Sequence, residues 1–102
     1  EGLPFLRWRF DSRFAVYPQG VTLDRKPSEY FGSNIVITTS GVCSHPSLMG
    51  AIGEMGAEGV MFSVDYPYEE TAVAADFIET APMDEKTRAL VCHGNAERLF
   101  KL

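Results

Sequence analysis

Cysteine is scarce in this chain: Cys43 and Cys92 are the only two among 102 residues. Two are too few for a disulfide scaffold, and nothing at the N-terminus has the basic-then-apolar order of a signal peptide, so a reducing cytoplasm is the expected location. Positive charge is also short, with 9 basic against 14 acidic residues and a net charge of -5. That balance offers no electrostatic footprint for a phosphate backbone and argues against nucleic acid as a partner. No apolar run approaches the roughly 20 residues that span a bilayer, so no membrane anchor is expected. Six prolines and 12% aromatics argue against disorder. A G-x-S-x-G elbow, a P-loop and a G-x-G-x-x-G turn are all missing, which removes the usual parts for nucleophilic hydrolysis and nucleotide binding. What is present, 45% apolar and 23% charged residues, describes a soluble globular segment of one domain at most.

Apolar periodicity maps the elements. Leu6, Phe10 and Phe14 recur every four residues in a dense apolar stretch, which predicts a mostly buried helix over Leu3 to Tyr17 that stops before Pro18 and Gly20. Val21 to Ser33 reads as loop with room for one helical turn. Asn34 to Thr39 is a β-branched run, the pattern of a strand buried on both faces in a parallel sheet. Leu48, Ala51, Ile52 and Met55 line one helix face over Ser47 to Ala57, with Ser44 or Ser47 as cap and Gly56 as the stop. Gly50 and Gly53 suggest close packing against a neighbour. Gly59 to Val64 predicts a second buried strand, followed by Asp65 and by Pro67, which cannot continue a ladder. A helix over Glu69 to Thr80 turns Val73, Phe77 and Ile78 inward and is closed by Pro82. Another runs from Asp84 to Cys92 with Gly94 as its stop, and Asn95 caps a final turn from Ala96 to Leu102.

This alternation indicates βα units on a parallel sheet, an α/β fold. Two strands cannot close a barrel or cover an open sheet, and the apolar opening EGLPFLRWRF reads as core rather than as a loose terminus. The expectation is a fragment whose missing part lies upstream. Either more chain or more copies must cover the sheet.

Asp65 carries the sharpest chemical signal, because α/β enzymes gather ligands and catalytic groups beyond the carboxyl ends of strands. A strand-end acid can bind a metal or shuttle a proton, and it can also be a plain turn or cap residue. Arg9, in an aromatic helix, could clamp a carboxylate or pair with an acid. His45 follows the first strand and could face the same site as Asp65, or serve as a capping group. His93 ends a helix. Cys43, His45, Cys92 and His93 match no structural zinc spacing.

Four stretches in order, EGLPFLRWRFDSRF, NIVITTSGV, MFSVDYPYE and HGNAERLFKL, together resemble the C-terminal third of metal-dependent decarboxylases of the amidohydrolase superfamily, closest to the hydroxybenzoate (resorcylate and salicylate) type. The resemblance covers nearly the whole chain. It implies that residues 1–102 are one C-terminal fragment, about three βα units, of a TIM (β/α)8 barrel. Asp65 matches the family's last-strand aspartate, which ligates the divalent metal and is placed to protonate the aromatic carbon that loses its carboxyl group. Glu1 matches the glutamate of an H-x-G-E segment, with the histidine falling before the chain begins. Arg9 matches, by spacing, the arginine that approaches the substrate carboxylate. Tyr66, Pro67 and Tyr68 would form an aromatic wall or pack structurally.

The implied cofactor is a divalent metal, zinc or manganese with magnesium also suited to such donors. The implied partners are a small aromatic carboxylic acid and further copies of the chain, as a dimer or tetramer. The family's remaining metal ligands are absent from these residues, so the piece alone is expected to be inactive. Two alternatives stand beside the decarboxylase: a hydrolase of the same superfamily acting on an amide, lactone or ester, and a non-catalytic βα module that oligomerises through its open sheet edges.

Overall fold

The computed structural model describes residues 2–102. Glu1 and the role expected for it lie outside them. The elements are helices α1 (Gly2–Phe5) and α2 (Arg7–Val16), strand β1 (Ile37–Thr38), helix α3 (His45–Met55), strand β2 (Val60–Met61), and helices α4 (Thr71–Thr80), α5 (Glu85–Ala89) and α6 (Asn95–Phe100). Short 3-10 turns cover Pro27–Tyr30 and Ala57–Gly59, and a π-helical turn covers Leu90–Gly94. The fold is α/β as expected, though helices dominate it.

β1 and β2 run parallel, with Ile37 opposite Val60 and Thr38 opposite Met61, and α3 forms the crossover between them. Both strands are shorter than expected. Regular ladder forms only where a partner backbone runs alongside, and among the described residues β1 pairs with β2 alone. Upstream of Ile37 the β-branched run is only partly covered, and Ile35 is exposed. Beyond Thr38 the pairing continues in another form. The Thr39 N–H donates to the Met61 carbonyl at 3.0 Å. The buried Thr39 hydroxyl then donates to the Ser63 carbonyl and accepts from the Ser63 N–H, both at 3.0 Å.

The opening helix departs most from expectation. It breaks at Leu6, and no residue of α2 is buried. Trp8 is 77% exposed and Phe5 91%. Apolar spacing creates a face for burial, but an opposing surface is needed to bury it. Apart from an ion pair of Arg7 with Glu54 of α3 at 3.7 Å, the 3-10 segment is what lies along α2 among the described residues. There Phe10 meets Phe31 edge-on at 6.0 Å. Asp11 accepts hydrogen bonds from the Ser28 N–H at 2.8 Å and the Ser28 hydroxyl at 2.6 Å. The helix does end at Tyr17, ahead of Pro18.

α3 begins at His45, two residues before the expected start, because Ser44 is its cap and Pro46 fits the first turn. Gly56 ends it with φ +77. Leu48 and Met55 are buried, while Gly50 and Gly53 face open space rather than a neighbour. α4 begins at Thr71, not Glu69. It buries Ala74, Phe77 and Ile78 but leaves Val73 51% exposed, so the inward face is turned by one position from the expected one.

The C-terminal segment is continuous where a stop and a restart were expected. Asp84 caps α5 by accepting the Thr87 N–H at 2.7 Å. Gly94 stays helical, and Asn95 is not a cap. Asn95 is fully buried, and its Nδ2 donates to the carbonyls of Ala57 at 2.7 Å and Val60 at 2.8 Å. Beside it, the Val91 carbonyl in the π turn accepts the Phe62 N–H at 2.8 Å. These bonds tie the C-terminal helices to the outer edge of β2. The core is one cluster of Leu48, Met55, Val60, Phe77, Ile78, Ala81 and Val91. Among the described residues no helix is long and apolar enough to cross a membrane.

Candidate active site

The carboxyl ends of β1 and β2 lie side by side, and the chain leaves each through a residue with left-handed backbone. After β1 this is Gly41, with φ +72, and after β2 it is Asp65, with φ +77. Few L-residues adopt this conformation, and aspartate is among those that tolerate it. The Asp65 carbonyl accepts N–H bonds from Tyr68 at 2.9 Å and Glu69 at 3.1 Å, which turns the chain sharply toward α4. Its side chain is half-buried and rests on Gly41: a Cβ built on that glycine would fall 3.3 Å from Asp65 Oδ2 and 3.9 Å from Cγ. Among the described residues the carboxylate makes no hydrogen bond and no ion pair. Uncommitted carboxylate oxygens held at the ends of parallel strands suit a divalent cation or a proton transfer. They are one donor of the three or more that a catalytic ion takes from protein. No group of three or more His, Cys, Asp or Glu side chains gathers for a metal among the described residues.

The other candidates are dispersed. Arg9 lies exposed on α2 and makes no hydrogen bond or ion pair among the described residues, so they do not join it to Asp65. Tyr66 and Tyr68 follow Asp65 but are exposed, walling nothing here. His45 is turned to α4. Its Nε2 lies 2.9 Å from the Phe77 carbonyl oxygen, and its ring stacks on that of Phe77 at 5.3 Å. Because a carbonyl can only accept, Nε2 carries the proton, and the imidazole pins the start of α3 to α4. His93 Nδ1 lies 2.9 Å from Glu97 Oε1 on an exposed helix face.

Electrostatic perturbations sit away from Asp65. Hydrogen bonds from the Ser28 hydroxyl and backbone hold the Asp11 carboxyl below the usual carboxylate range. The Thr87 backbone and side chain do the same to Asp84, and burial pushes the Cys92 thiol up. A cleft of about 650 Å³ opens between α1, β1 and α3, lined by Phe5, Thr38, Ser40, Ser47 and Ala51 among others. Asp65 takes no part in it. Among the described residues this groove runs along β1 and α3, away from the acid.

Sequence reading did not single out Thr39 and Gly41, which shape the Asp65 surroundings. Their signal was a β-branched run closed by Ser40-Gly41, parallel to the run closed by Asp65.

Comparison with known proteins adds a family. The amidohydrolase family model matches residues 13–102. The gamma-resorcylate decarboxylase of Polaromonas sp. strain JS666 is 41% identical over 108 residues, covering 100% of this chain and 32% of that protein. The crystal structure of 5-carboxyvanillate decarboxylase from Sphingomonas paucimobilis overlays with a TM-score of 0.92 at 44% identity, over 99% of this chain and 31% of that one. A dihydroxybenzoic acid decarboxylase from Polaromonas, solved with manganese and the inhibitor 2-nitroresorcinol, overlays at 0.80 and 39% identity over 99% and 31% of the respective chains. The chain thus spans about a third of the length of the curated relatives it matches.

Proposed function

The chain belongs to the amidohydrolase family, and from that premise we propose that it is part of a divalent-metal-dependent decarboxylase of hydroxybenzoate-type acids, supplying Asp65 to the reaction. One observation carries the reading: Asp65 presents uncommitted carboxylate oxygens where the parallel strands end, in a chain matched along its whole length by decarboxylases. Residues 1–102 form one piece of a (β/α)8 barrel, of about three βα units. The parallel pair with its crossover helix supports this, as does the overlay on a third of larger enzymes.

In this reading Asp65 is both a metal ligand and the acid that carries a proton to the ring carbon losing its carboxyl group. A divalent cation in the site would screen the charge of the substrate carboxylate and neighbouring phenolate. Manganese is favoured, because it is present in structural neighbours. Arg9 is assigned to the substrate carboxylate, where a guanidinium can make two parallel hydrogen bonds. Glu1, which matches the glutamate of the family's H-x-G-E segment, is assigned to orient the histidine of that segment. Assembly into a dimer or tetramer is carried over from the resemblance to these decarboxylases. The unpaired thiols of Cys43 and Cys92 support a reducing cytoplasmic location.

The test is turnover by the full-length chain loaded with Mn²⁺ and given hydroxybenzoates, with lactones in parallel. Carbon dioxide release is expected from a hydroxybenzoate. Asp65→Asn, which keeps the shape and tolerates the left-handed backbone, is expected to lower kcat about 1000-fold or more while the circular dichroism spectrum is retained. Lactone hydrolysis without carbon dioxide release would sink the reading.

A further inference from the structure

A carboxylate with no hydrogen-bond partner is free to swing unless packing fixes it, and metal ligands need fixed orientation. Around Asp65 that packing comes from the neighbouring strand. Gly41 lies against Oδ2 so closely that even a methyl group in its place would crowd the carboxylate at 3.3 Å, tighter than ordinary contact. Gly41 is in turn brought there by Thr39, two residues earlier. The buried Thr39 hydroxyl holds the Ser63 N–H and carbonyl, two residues before Asp65, each at 3.0 Å. The regular ladder has already ended at Thr38 and Met61, so this side-chain bridge carries the register out to the two left-handed residues.

We propose that Gly41 is a positioning residue for Asp65: its missing side chain forms the rest on which the carboxylate lies, and the Thr39–Ser63 bridge holds the two loop ends at that spacing. The proposal builds on the assignment of Asp65 as metal ligand. An alanine at position 41 forces the carboxylate to give by a few tenths of an ångström, and displacements of this order reach metal affinity and turnover together.

The test compares two alanine variants of the full-length chain. Gly20 has φ +75 with open space around it, so Gly20→Ala carries the same backbone strain as Gly41→Ala without the contact. Mn²⁺ affinity is read from the electron paramagnetic resonance signal of the free ion, and kcat and KM are read at saturating Mn²⁺. Gly41→Ala is expected to weaken Mn²⁺ binding and lower kcat by about 10-fold or more each, with KM changed by less than about 3-fold. Gly20→Ala is expected to change neither, although both variants lose similar thermal stability. Equal Mn²⁺ affinity and kcat in the two variants overturns the proposal.

If Gly41→Ala does not fold, Thr39→Val and Thr39→Ser decide. Serine retains the bridge and is expected to keep Mn²⁺ affinity within about 3-fold, whereas valine is expected to lose about 10-fold; equal affinities overturn the proposal. The Mn²⁺ measurement also separates the two readings. A parent that loses Mn²⁺ affinity on Asp65→Asn yet decarboxylates nothing sinks the assigned activity, and the alanine comparison still decides the positioning. A parent whose Mn²⁺ affinity ignores Asp65→Asn overturns both.

Discussion

The two outer edges of the small sheet are finished in opposite ways. On the β2 side the Phe62 N–H meets the Val91 carbonyl, Asn95 donates to Val60 in the strand and to Ala57 in the 3-10 turn before it, and Val60, Phe77, Ile78 and Val91 close the core. On the β1 side the edge opens into a groove, and the helix pair before it shows Phe5 and Trp8 to solvent. Both regions are rich in apolar residues, so composition does not separate them. What separates them is whether the described residues supply a complementary surface. Apolar spacing is a demand for burial, and only a second element can meet it.

The contrast can be sharpened first where its effect is largest. Phe77→Ala removes a buried ring from the β2 side and the platform on which His45 stacks. It is expected to cost about 3–5 kcal/mol in urea unfolding. A loss below about 1 kcal/mol would show that this side is not the stabilising one.

The middle effect lies on the β1 side and depends on pH. The Ser28 hydroxyl and backbone hold the folded Asp11 carboxyl below its usual range. A depressed folded value means that the stabilisation is present above the unfolded value of about 3.9 and is lost as pH falls through the lower folded value. Unfolding midpoints followed from pH 6 down to about pH 2.5 should therefore decline more steeply in the parent than in Asp11→Asn, which has no charge to lose. Parallel curves would remove this anchor between α2 and the 3-10 turn.

The smallest effect is the sharpest probe of the comparison. Trp8→Ser, at an exposed ring, is expected to change stability by no more than about 0.5 kcal/mol. A loss of several kcal/mol in the full-length chain would break the contrast by showing that this helix face is covered there.

Much of this arrangement was legible in the residues, and the failures share a cause. Helices α3 and α4 followed from spacing and breakers close to their own ends: Gly56 stops α3, and Phe77 and Ile78 do face inward. The parallel pairing followed from a β-branched run and a second apolar strand joined by a helix. The misreadings arose where a residue's partner lies far away in sequence. Asn95 had the chemistry of a cap, but its amide is taken by carbonyls 35 and 38 residues upstream. Gly94 had the chemistry of a stop, yet the helix passes through it because the π turn docks on β2. At the site, Asp65 was legible from its place after a strand, whereas Thr39 and Gly41 were not, since their role exists only across the sheet.

By itself the sequence determined the parallel α/β character, the positions of the main breakers, the acid at the end of the second strand and the likeness to amidohydrolase decarboxylases. These rest on local backbone preference and on side-chain chemistry that each residue carries wherever it is placed. Tertiary structure alone decided how long each strand is, which apolar faces are buried, that the C-terminal helices run through Gly94 and Asn95, and that the Asp65 carboxylate lies on Gly41. Those outcomes turn on contacts between residues distant in the chain, whose partners are fixed only when the elements pack.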